Sequence, residues 1–143
     1  MKRLHIHITV DDIETSTRFY RGLFGCEPVV AKSDYAKWVV DDPAVNLAIS
    51  TDSGAAGVNH LGIQVDGYDD LTGIEERLRQ ASSEVIEQRD ASCCYAESDK
   101  SWTFDPSGVP WETFLTMGDS AVYGADTLDR AVEEHARSEP RRR

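Results

Sequence analysis

The chain has 143 residues, enough for one domain with a substantial core, because a chain of about 150 residues buries roughly two thirds of its unfolded surface. Hydrophobic residues make up 40% and charged residues 29%, which is the composition of a folded globular protein and excludes disorder of the whole chain. The formal net charge of −11 argues against a nucleic acid partner, since phosphates would be repelled over most of the surface.

The start of the chain and its cysteines favour a cytoplasmic protein. Two basic residues lead directly into a strand-like alternation, so we expect no signal peptide and no membrane span. The three cysteines are an odd number and Cys93 and Cys94 are adjacent, which makes a disulfide framework a poor interpretation. We therefore expect free thiols in a reducing cytoplasm, with Cys26 as a small buried residue.

The first half of the chain predicts a strand, a helix and three short strands. Apolar and polar residues alternate from His5 to Val10, the period of a strand with one buried face, so that His5, His7 and Thr9 share the other face. Asp11 and Glu14 form a capping pattern for a helix that Gly25 ends. Further strands are predicted over residues 27–31, 36–40 and 45–50, with a turn at 41–43.

The second half repeats the first. After a loop of small residues over 51–57, His60 follows His5 by 55 residues, and residues 59–66 repeat the pattern His-[Ile/Leu]-x-Ile-x-Val-Asp. Asp69 or Asp70 is expected to cap a second helix. Strands are then predicted over residues 84–88, 93–97, 102–104 and 111–117.

This repeat predicts an α+β fold of two βαβββ modules, at about 3–50 and 58–117, within one domain over residues 1–117. Two such modules are expected to form a curved mixed sheet around a cleft, where the starts of equivalent strands face each other. Residues 118–143 form a tail, with a short amphipathic helix predicted over 125–138 and a frayed end at 140–143.

The candidate metal ligands are His5, His60 and Glu112. Equivalent strand starts would bring the two imidazoles together, and two imidazoles with one carboxylate form the facial arrangement typical of non-haem iron(II) enzymes. His7 lies on the same face as His5 and is an alternative ligand, although Gly62 stands at its equivalent in the second half. The simpler interpretation is that these are hydrogen-bonded polar residues of a half-open sheet.

The adjacent thiols of Cys93 and Cys94 allow several interpretations. As thiolates they would bind arsenic(III), cadmium or another soft centre, and as inert thiols one would be buried and the other exposed. Because neighbouring side chains of a strand point to opposite faces, chelation of one atom requires a bulge or loop, which residues 89–92 are consistent with. Lys100 would favour the thiolate form if its strand pairs with that of the cysteines.

Three motifs of the chain together resemble the vicinal oxygen chelate superfamily, which includes glyoxalase I, fosfomycin resistance proteins and extradiol dioxygenases. The resemblance spans residues 3 to 117 and implies paired βαβββ modules around a metal cleft, a divalent metal and a homodimer. The motifs are His-x4-Val-x-Asp-Ile-x5-Phe-Tyr from His5, the segment 59–63, and Asp-Pro-x-Gly-x-x-Trp-Glu ending at Glu112.

Within that superfamily, the segment Cys-Cys-Tyr-Ala-x-x-Asp-Lys-x-Trp from Cys93 resembles carbon–arsenic lyases of the ArsI type and the cadmium-induced CadI proteins. The resemblance implies an iron(II)-dependent dioxygenase that cleaves the carbon–arsenic bond of methylarsenite and aromatic arsenicals and releases arsenite. Cys93 and Cys94 would be the catalytic, arsenic-binding residues and Lys100 a further substrate-binding residue, with iron on His5, His60 and Glu112. This chain has His5 where members of that group carry glutamine.

Three hypotheses about function follow. The first is organoarsenical detoxification with dioxygen as co-substrate and iron(II) as cofactor, for which nickel, cobalt, manganese and zinc are alternatives. The second is a cadmium- or arsenite-binding protein without turnover, which would bind these ions and consume no oxygen. The third is another metalloenzyme of the superfamily, in which the two cysteines would be dispensable.

Overall fold

A computed structural model of the protein describes residues 1–51, 54–119, 124 and 127–139. The elements follow the order expected for two βαβββ modules and a C-terminal helix, so the α+β fold of the vicinal oxygen chelate type is confirmed. They are β1 (Arg3–Thr9), α1 (Ile13–Phe24), β2 (Val30–Ala31), β3 (Tyr35–Asp41), β4 (Ala44–Ser50), β5 (Gly57–Gln64), α2 (Tyr68–Gln80), β6 (Ile86–Cys93), β7 (Ala96–Phe104), β8 (Pro110–Asp119) and α3 (Thr127–Ser138).

The chain divides into two compact units, Met1–Gln64 and Val65–Arg143. In the N-terminal unit the strands lie in the order β2-β3-β4-β1-β5, with β1 parallel to β4 and antiparallel to β5. In the C-terminal unit β8, β7 and β6 form an antiparallel meander. Strand β4 is parallel to β1 because α1 carries the chain back to the start of β2, and the two antiparallel reversals to β3 and β4 restore the direction of β1. Strand β5 then runs in the opposite direction.

The alternation in β1 gives its two faces different roles. Ile6 and Ile8 pack against the apolar cluster of the N-terminal unit, which includes the fully buried Trp38 and Ile49. The opposite face is polar and also buried, which the sequence pattern did not indicate. The buried residues of this face are His5, His7 and Thr9 of β1, together with Asn46 and Ser50 of the neighbouring β4.

Helix α1 confirms the expected end and corrects the expected start. Gly25 adopts the left-handed conformation with φ of 68° and donates its N–H to the carbonyl of Arg21. The N-cap is Asp12, whose carboxylate accepts from the backbone N–H of Thr15 at 2.9 Å, so the capping pattern assigned to Asp11 was wrong by one residue.

Three further expectations fail in detail. Helix α2 begins after Gly67, which has no side chain to cap it. Asp69 and Asp70 lie in its first turn instead, where their negative charges interact favourably with the positive end of the helix dipole. The predicted strand over 27–31 is only Val30–Ala31. Cys26 is exposed, because the chain leaves α1 at Gly25 before it reaches the sheet.

The predicted strand over 93–97 is wrong in a way that matters for the thiols. Cys93 ends β6 and Ala96 begins β7, and Cys94 and Tyr95 form the two-residue turn between them. Both turn residues have positive φ, 55° and 61°, as two-residue hairpin turns of the I′ type require. The bend therefore lies at Cys94, and residues 89–92 belong to β6, where the pairing register shifts.

The described part of the tail contains the predicted helix. Residues 125–126 and 140–143, named in those predictions, lie outside the described residues, as do residues 52–53 of the loop. Helix α3 buries Ala131 against Ile86 and Trp102 of the C-terminal unit. Among the described residues, no helix combines the length and apolar character needed to cross a bilayer.

Candidate functional site

Three buried histidines converge in the N-terminal unit. His5 and His7 share a face of β1 because they are two residues apart, and the antiparallel pairing of β1 with β5 sets His60 opposite His7. The Nε2 atoms of His5 and His60 are 3.2 Å apart, which confirms that these two imidazoles meet. One ring nitrogen from each of the three histidines lies within 4.8 Å of the others.

Hydrogen bonds fix the tautomers of His5 and His60. The Nδ1 atom of His5 lies 3.1 Å from the backbone carbonyl oxygen of Asn46, which can only accept, so Nδ1 carries the proton. The Nδ1 atom of His60 likewise donates to the side-chain oxygen of Asn59 at 2.7 Å. In the neutral rings both Nε2 atoms then present lone pairs to each other, an arrangement that a cation between them stabilises.

The geometry of this pair fits a first-row metal. Metal–imidazole bonds of about 2.0–2.1 Å separate two ligand nitrogens by roughly 2.9–3.4 Å for right-angle to tetrahedral geometry, which brackets the separation of the two Nε2 atoms. The bonds from the Nδ1 atoms to the carbonyl of Asn46 and to Asn59 are the outer contacts that orient metal-binding histidines. Sequence patterns missed both asparagines, although Asn59 directly precedes His60.

His7 belongs to the same cluster but has an additional partner. Its Nε2 atom lies 2.7 Å from the hydroxyl of Ser50, and both side chains are buried. The centroids of the His7 and His60 rings are 4.9 Å apart. His7 therefore remains the alternative ligand, positioned by Ser50 beside the pair formed by His5 and His60.

Glu112 lies in the C-terminal unit, on β8. Its carboxylate accepts a hydrogen bond from the ammonium of Lys100 at 3.1 Å, and both side chains are buried. The pairing of β7 with β8 sets Lys100 opposite Phe114 and Glu112 opposite Trp102, so the two charges meet diagonally on one face. Joint ligation of a metal by Glu112, His5 and His60 stays a prediction.

The sulfur atoms of Cys93 and Cys94 are 3.0 Å apart and belong to free thiols. An extended strand would point them to opposite faces, but the left-handed conformation of Cys94 turns its side chain back toward Cys93. The bend that chelation requires is therefore present, at the turn and not at residues 89–92. Two soft ligands at this separation suit a single thiophilic atom.

The electrostatics of this hairpin favour a thiolate at Cys93. The hydrogen bond donated by the Cys94 thiol lowers the pKa of Cys93; burial raises it, and the Lys100 ammonium lowers it further, so that it lies below its ordinary value. Burial alone would lower the pKa of Lys100, but the charges of Glu112 and Cys93 raise it above its ordinary value. Lys100 therefore stays protonated and interacts with both the Glu112 carboxylate and the Cys93 thiol. We expected this effect if the strand of Lys100 pairs with that of the cysteines, and β7 does pair with β6.

A second buried acid stiffens the same hairpin. Asp99 accepts a hydrogen bond from the hydroxyl of Tyr68, which is the main cause of its lowered pKa, and another from the backbone N–H of Asp90 at 2.8 Å. Asp90 has φ of 53° and lies at the register shift of β6. This contact fixes the bulge between Gln88 and Ala91, which leads into the cysteine turn.

Comparison with known proteins identifies the family of the chain. A sequence model of the glyoxalase/bleomycin resistance protein/dioxygenase superfamily matches residues 2–113. The chain belongs to this superfamily. Its resemblance to the ArsI-type and CadI groups of the superfamily is also confirmed by relatives of known name.

Two such relatives and one solved structure illustrate the likeness. A protein from Bacillus subtilis (strain 168) named "probable trivalent organoarsenical cleaving enzyme" is 36% identical, over 92% of this chain and 92% of its own. The cadmium-induced protein CadI of Mycobacterium bovis is 32% identical, over 87% of this chain and 83% of its own. An extradiol ring-cleaving dioxygenase from B. fuscum shares the superfamily fold at a TM-score of 0.61, with 16% identity, covering 92% of this chain and 36% of that one.

Substitution of the histidines should separate metal ligands from their neighbours. We expect His5→Ala to weaken binding of cobalt(II) by on the order of a hundredfold or more, because a lone pair fixed toward the site is lost. His7→Ala should weaken it by only about tenfold, the lower end of the effect of removing a group that supports the ligands. Titration of metal-free protein with cobalt(II), followed by visible absorption, measures both. Equal losses in the two variants would instead make His7 a ligand.

Removal of the buried cation should make Cys93 less reactive. Lys100→Met should raise the pH midpoint of iodoacetamide alkylation at Cys93, because the thiolate loses the attraction of the ammonium charge. Mass spectrometry of the modified peptide measures this in reduced, metal-free protein. Alkylation of the exposed Cys26 is the internal control, and the exposed Lys32→Met is the matched substitution. An unchanged profile would mean that Lys100 does not act on the thiol.

Proposed function

We propose that the protein is an iron(II)-dependent dioxygenase that cleaves the carbon–arsenic bond of trivalent organoarsenicals and releases arsenite. The observation that carries the proposal is the pair of half-buried sulfur atoms 3.0 Å apart at the cysteine turn. Relatives named for organoarsenical cleavage at 34% to 39% identity support it. The substrate class, the metal and the use of dioxygen are all parts of this proposal.

Cys93 and Cys94 would hold the arsenic by exchange with its hydroxyl groups. Each thiol gives up one proton, each arsenic hydroxyl leaves as water, and two arsenic–sulfur bonds replace two arsenic–oxygen bonds. The lowered pKa of Cys93 makes it the first nucleophile, with Cys94 closing the chelate. The arsenic atom is thereby fixed in orientation, which removes most of its translational and rotational freedom before the carbon reacts.

We assign the metal to His5, His60 and Glu112, with His7 as the alternative imidazole. The donor set fits iron(II), and the bound ion would supply activation of dioxygen. Glu112 and the thiols occupy one neighbourhood of the C-terminal unit, since Lys100 contacts the carboxylate and its charge acts on Cys93. Lys100 would keep the carboxylate ionised and stabilise the thiolate until substrate is bound.

The atom balance of the reaction needs no further reductant. Methylarsenite plus one dioxygen has the same atoms as arsenite plus formaldehyde, and the methyl carbon supplies the four electrons that dioxygen accepts. We further propose that the protein acts in the cytoplasm as a homodimer. The soft thiol pair also suits one second candidate, a protein that binds cadmium or arsenite without turnover. One relative is named as a cadmium-induced protein.

The test is anaerobic reconstitution with iron(II), followed by air and methylarsenite. We expect arsenite and formaldehyde in equal amounts, matched by oxygen uptake. Cys93→Ser and Cys94→Ser should each lower the rate by on the order of a hundredfold or more, because the chelate is lost. Cys26→Ser, the matched change at an exposed thiol, should retain the rate of the unaltered protein.

Two results would contradict the proposal. One is the absence of arsenite from fully reconstituted protein, and the other is full activity in either variant of the adjacent cysteines. Tight cadmium binding with no oxygen uptake would favour the sequestering protein instead.

A further inference from the structure

The tail of the chain contacts the thiol hairpin, although it lies beyond the superfamily match that ends at residue 113. Among the described tail residues, Gly124 and Thr127, the first residue of α3, contact Cys93. Neither residue was identified from the sequence, because nothing in the tail pattern indicates what its first turn meets. The contact made by the tail therefore lies outside the part of the chain that matches the superfamily.

Thr127 is buried and uses all three of its polar groups on the β6–β7 hairpin. Its backbone N–H donates to the sulfur of Cys93, which is one of the causes that lower the pKa of that thiol. Its carbonyl accepts from the side-chain amide of Gln88 at 3.0 Å. Its hydroxyl accepts from the ammonium of Lys100 at 3.4 Å.

Gly124 approaches the same hairpin through its backbone. It forms an isolated antiparallel bridge with Cys93, and its φ of 87° lies in the left-handed region that favours glycine. A Cβ atom at this position would lie 2.2 Å from the carbonyl oxygen of Ser92, closer than any real contact. The close approach therefore requires glycine.

Packing of α3 fixes this contact in place. Ala131 is fully buried in the cluster of Ile86 and Trp102. The ring of His135 stacks on Phe104 with centroids 4.1 Å apart. Because the helix is held at these points along its length, its first residue has little freedom to leave the hairpin.

We propose that Thr127 is a positioning residue for the thiol pair and that α3 thereby sets the affinity of Cys93 and Cys94 for trivalent arsenic. The inference rests on the proposed role of these thiols as arsenic ligands. Thr127 holds one sulfur through its N–H and the neighbouring cation through its hydroxyl. The cysteine turn is thus ordered before the substrate arrives. Binding of arsenic therefore costs less conformational entropy than it would at a mobile turn.

The test compares three variants of the full chain as binders of phenylarsenite under reducing, anaerobic conditions. Thr127→Val keeps the N–H and the shape but removes the hydroxyl, and should weaken binding roughly tenfold, the effect of one hydrogen bond to a charged group. Thr127→Ser restores the hydroxyl and should bind within about twofold of the unaltered protein. Arg137→Ala, on the exposed face of α3, is the control that should change nothing.

Gly124→Ala tests the same contact from the backbone side and serves if the valine variant does not fold. It should weaken binding by tenfold or more, since the new Cβ forces the bridge to open. Calorimetry gives the affinities, and circular dichroism verifies the fold of each variant.

The outcomes separate this inference from the proposed function. Binding within twofold of normal in both Thr127→Val and Gly124→Ala would overturn the inference, as would equal losses in the valine and serine variants. If the unaltered protein fails to bind phenylarsenite, the thiol site of the proposed function is wrong. If the unaltered protein binds but shows no turnover, while Thr127→Val binds tenfold more weakly, the inference stands and the catalytic proposal fails.

Discussion

The turn at Cys94 and Tyr95 is the constraint on which the thiol chemistry depends. Adjacent residues of a strand cannot place their side chains on one side, so two neighbouring sulfurs can share an atom only where the chain leaves the extended conformation. Two non-glycine residues with positive φ make that departure. Glycine or asparagine would suit such a turn better, and side chains there cost of order 1–3 kcal/mol each. The chain therefore keeps a locally unfavourable turn that sets the sulfurs 3.0 Å apart.

A buried charge network of Lys100 and Glu112 acts on the Cys93 thiol beside this turn. Lys100 would be strongly destabilising if it were alone in the interior, but its ammonium donates to the Glu112 carboxylate and interacts favourably with the charge of Cys93. The network has a chemical consequence, because the same cation acts on a candidate metal ligand and on a candidate arsenic ligand. A change in the charge of Glu112 therefore alters the electrostatic environment of Cys93 through Lys100, and the reverse also holds.

The repeated pattern of the chain predicted the fold well, for a physical reason. Strand alternation and helix periodicity are local properties, and a duplication leaves the same local pattern twice, so the βαβββ order and the meeting of His5 with His60 followed from sequence. The helix caps were harder to predict, because Asp11 and Asp12 are the same residue type and the sequence pattern does not distinguish them. Only the path of the chain selects Asp12 as the N-cap. The exposure of Cys26 also depends on that path.

The surroundings of the site could not be read from the sequence, because they arise from contacts between distant segments. The carbonyl of Asn46 fixes the His5 tautomer across 41 residues, and the hydroxyl of Ser50 meets His7 across 43. The contact of Thr127 with Lys100 spans 27 residues and depends on the docking of α3. Periodicity carries no information about such pairs, and it also misplaced the bend beside Cys93.

The most direct test of this account is the arsenic K-edge X-ray absorption spectrum of the reduced, metal-free protein loaded with one equivalent of phenylarsenite. Chelation by Cys93 and Cys94 predicts two sulfur atoms and one carbon atom around every arsenic, with no remaining oxygen neighbour. A spectrum with a single sulfur and an oxygen would contradict the account, because it would mean that the two thiols of the turn do not act on one atom.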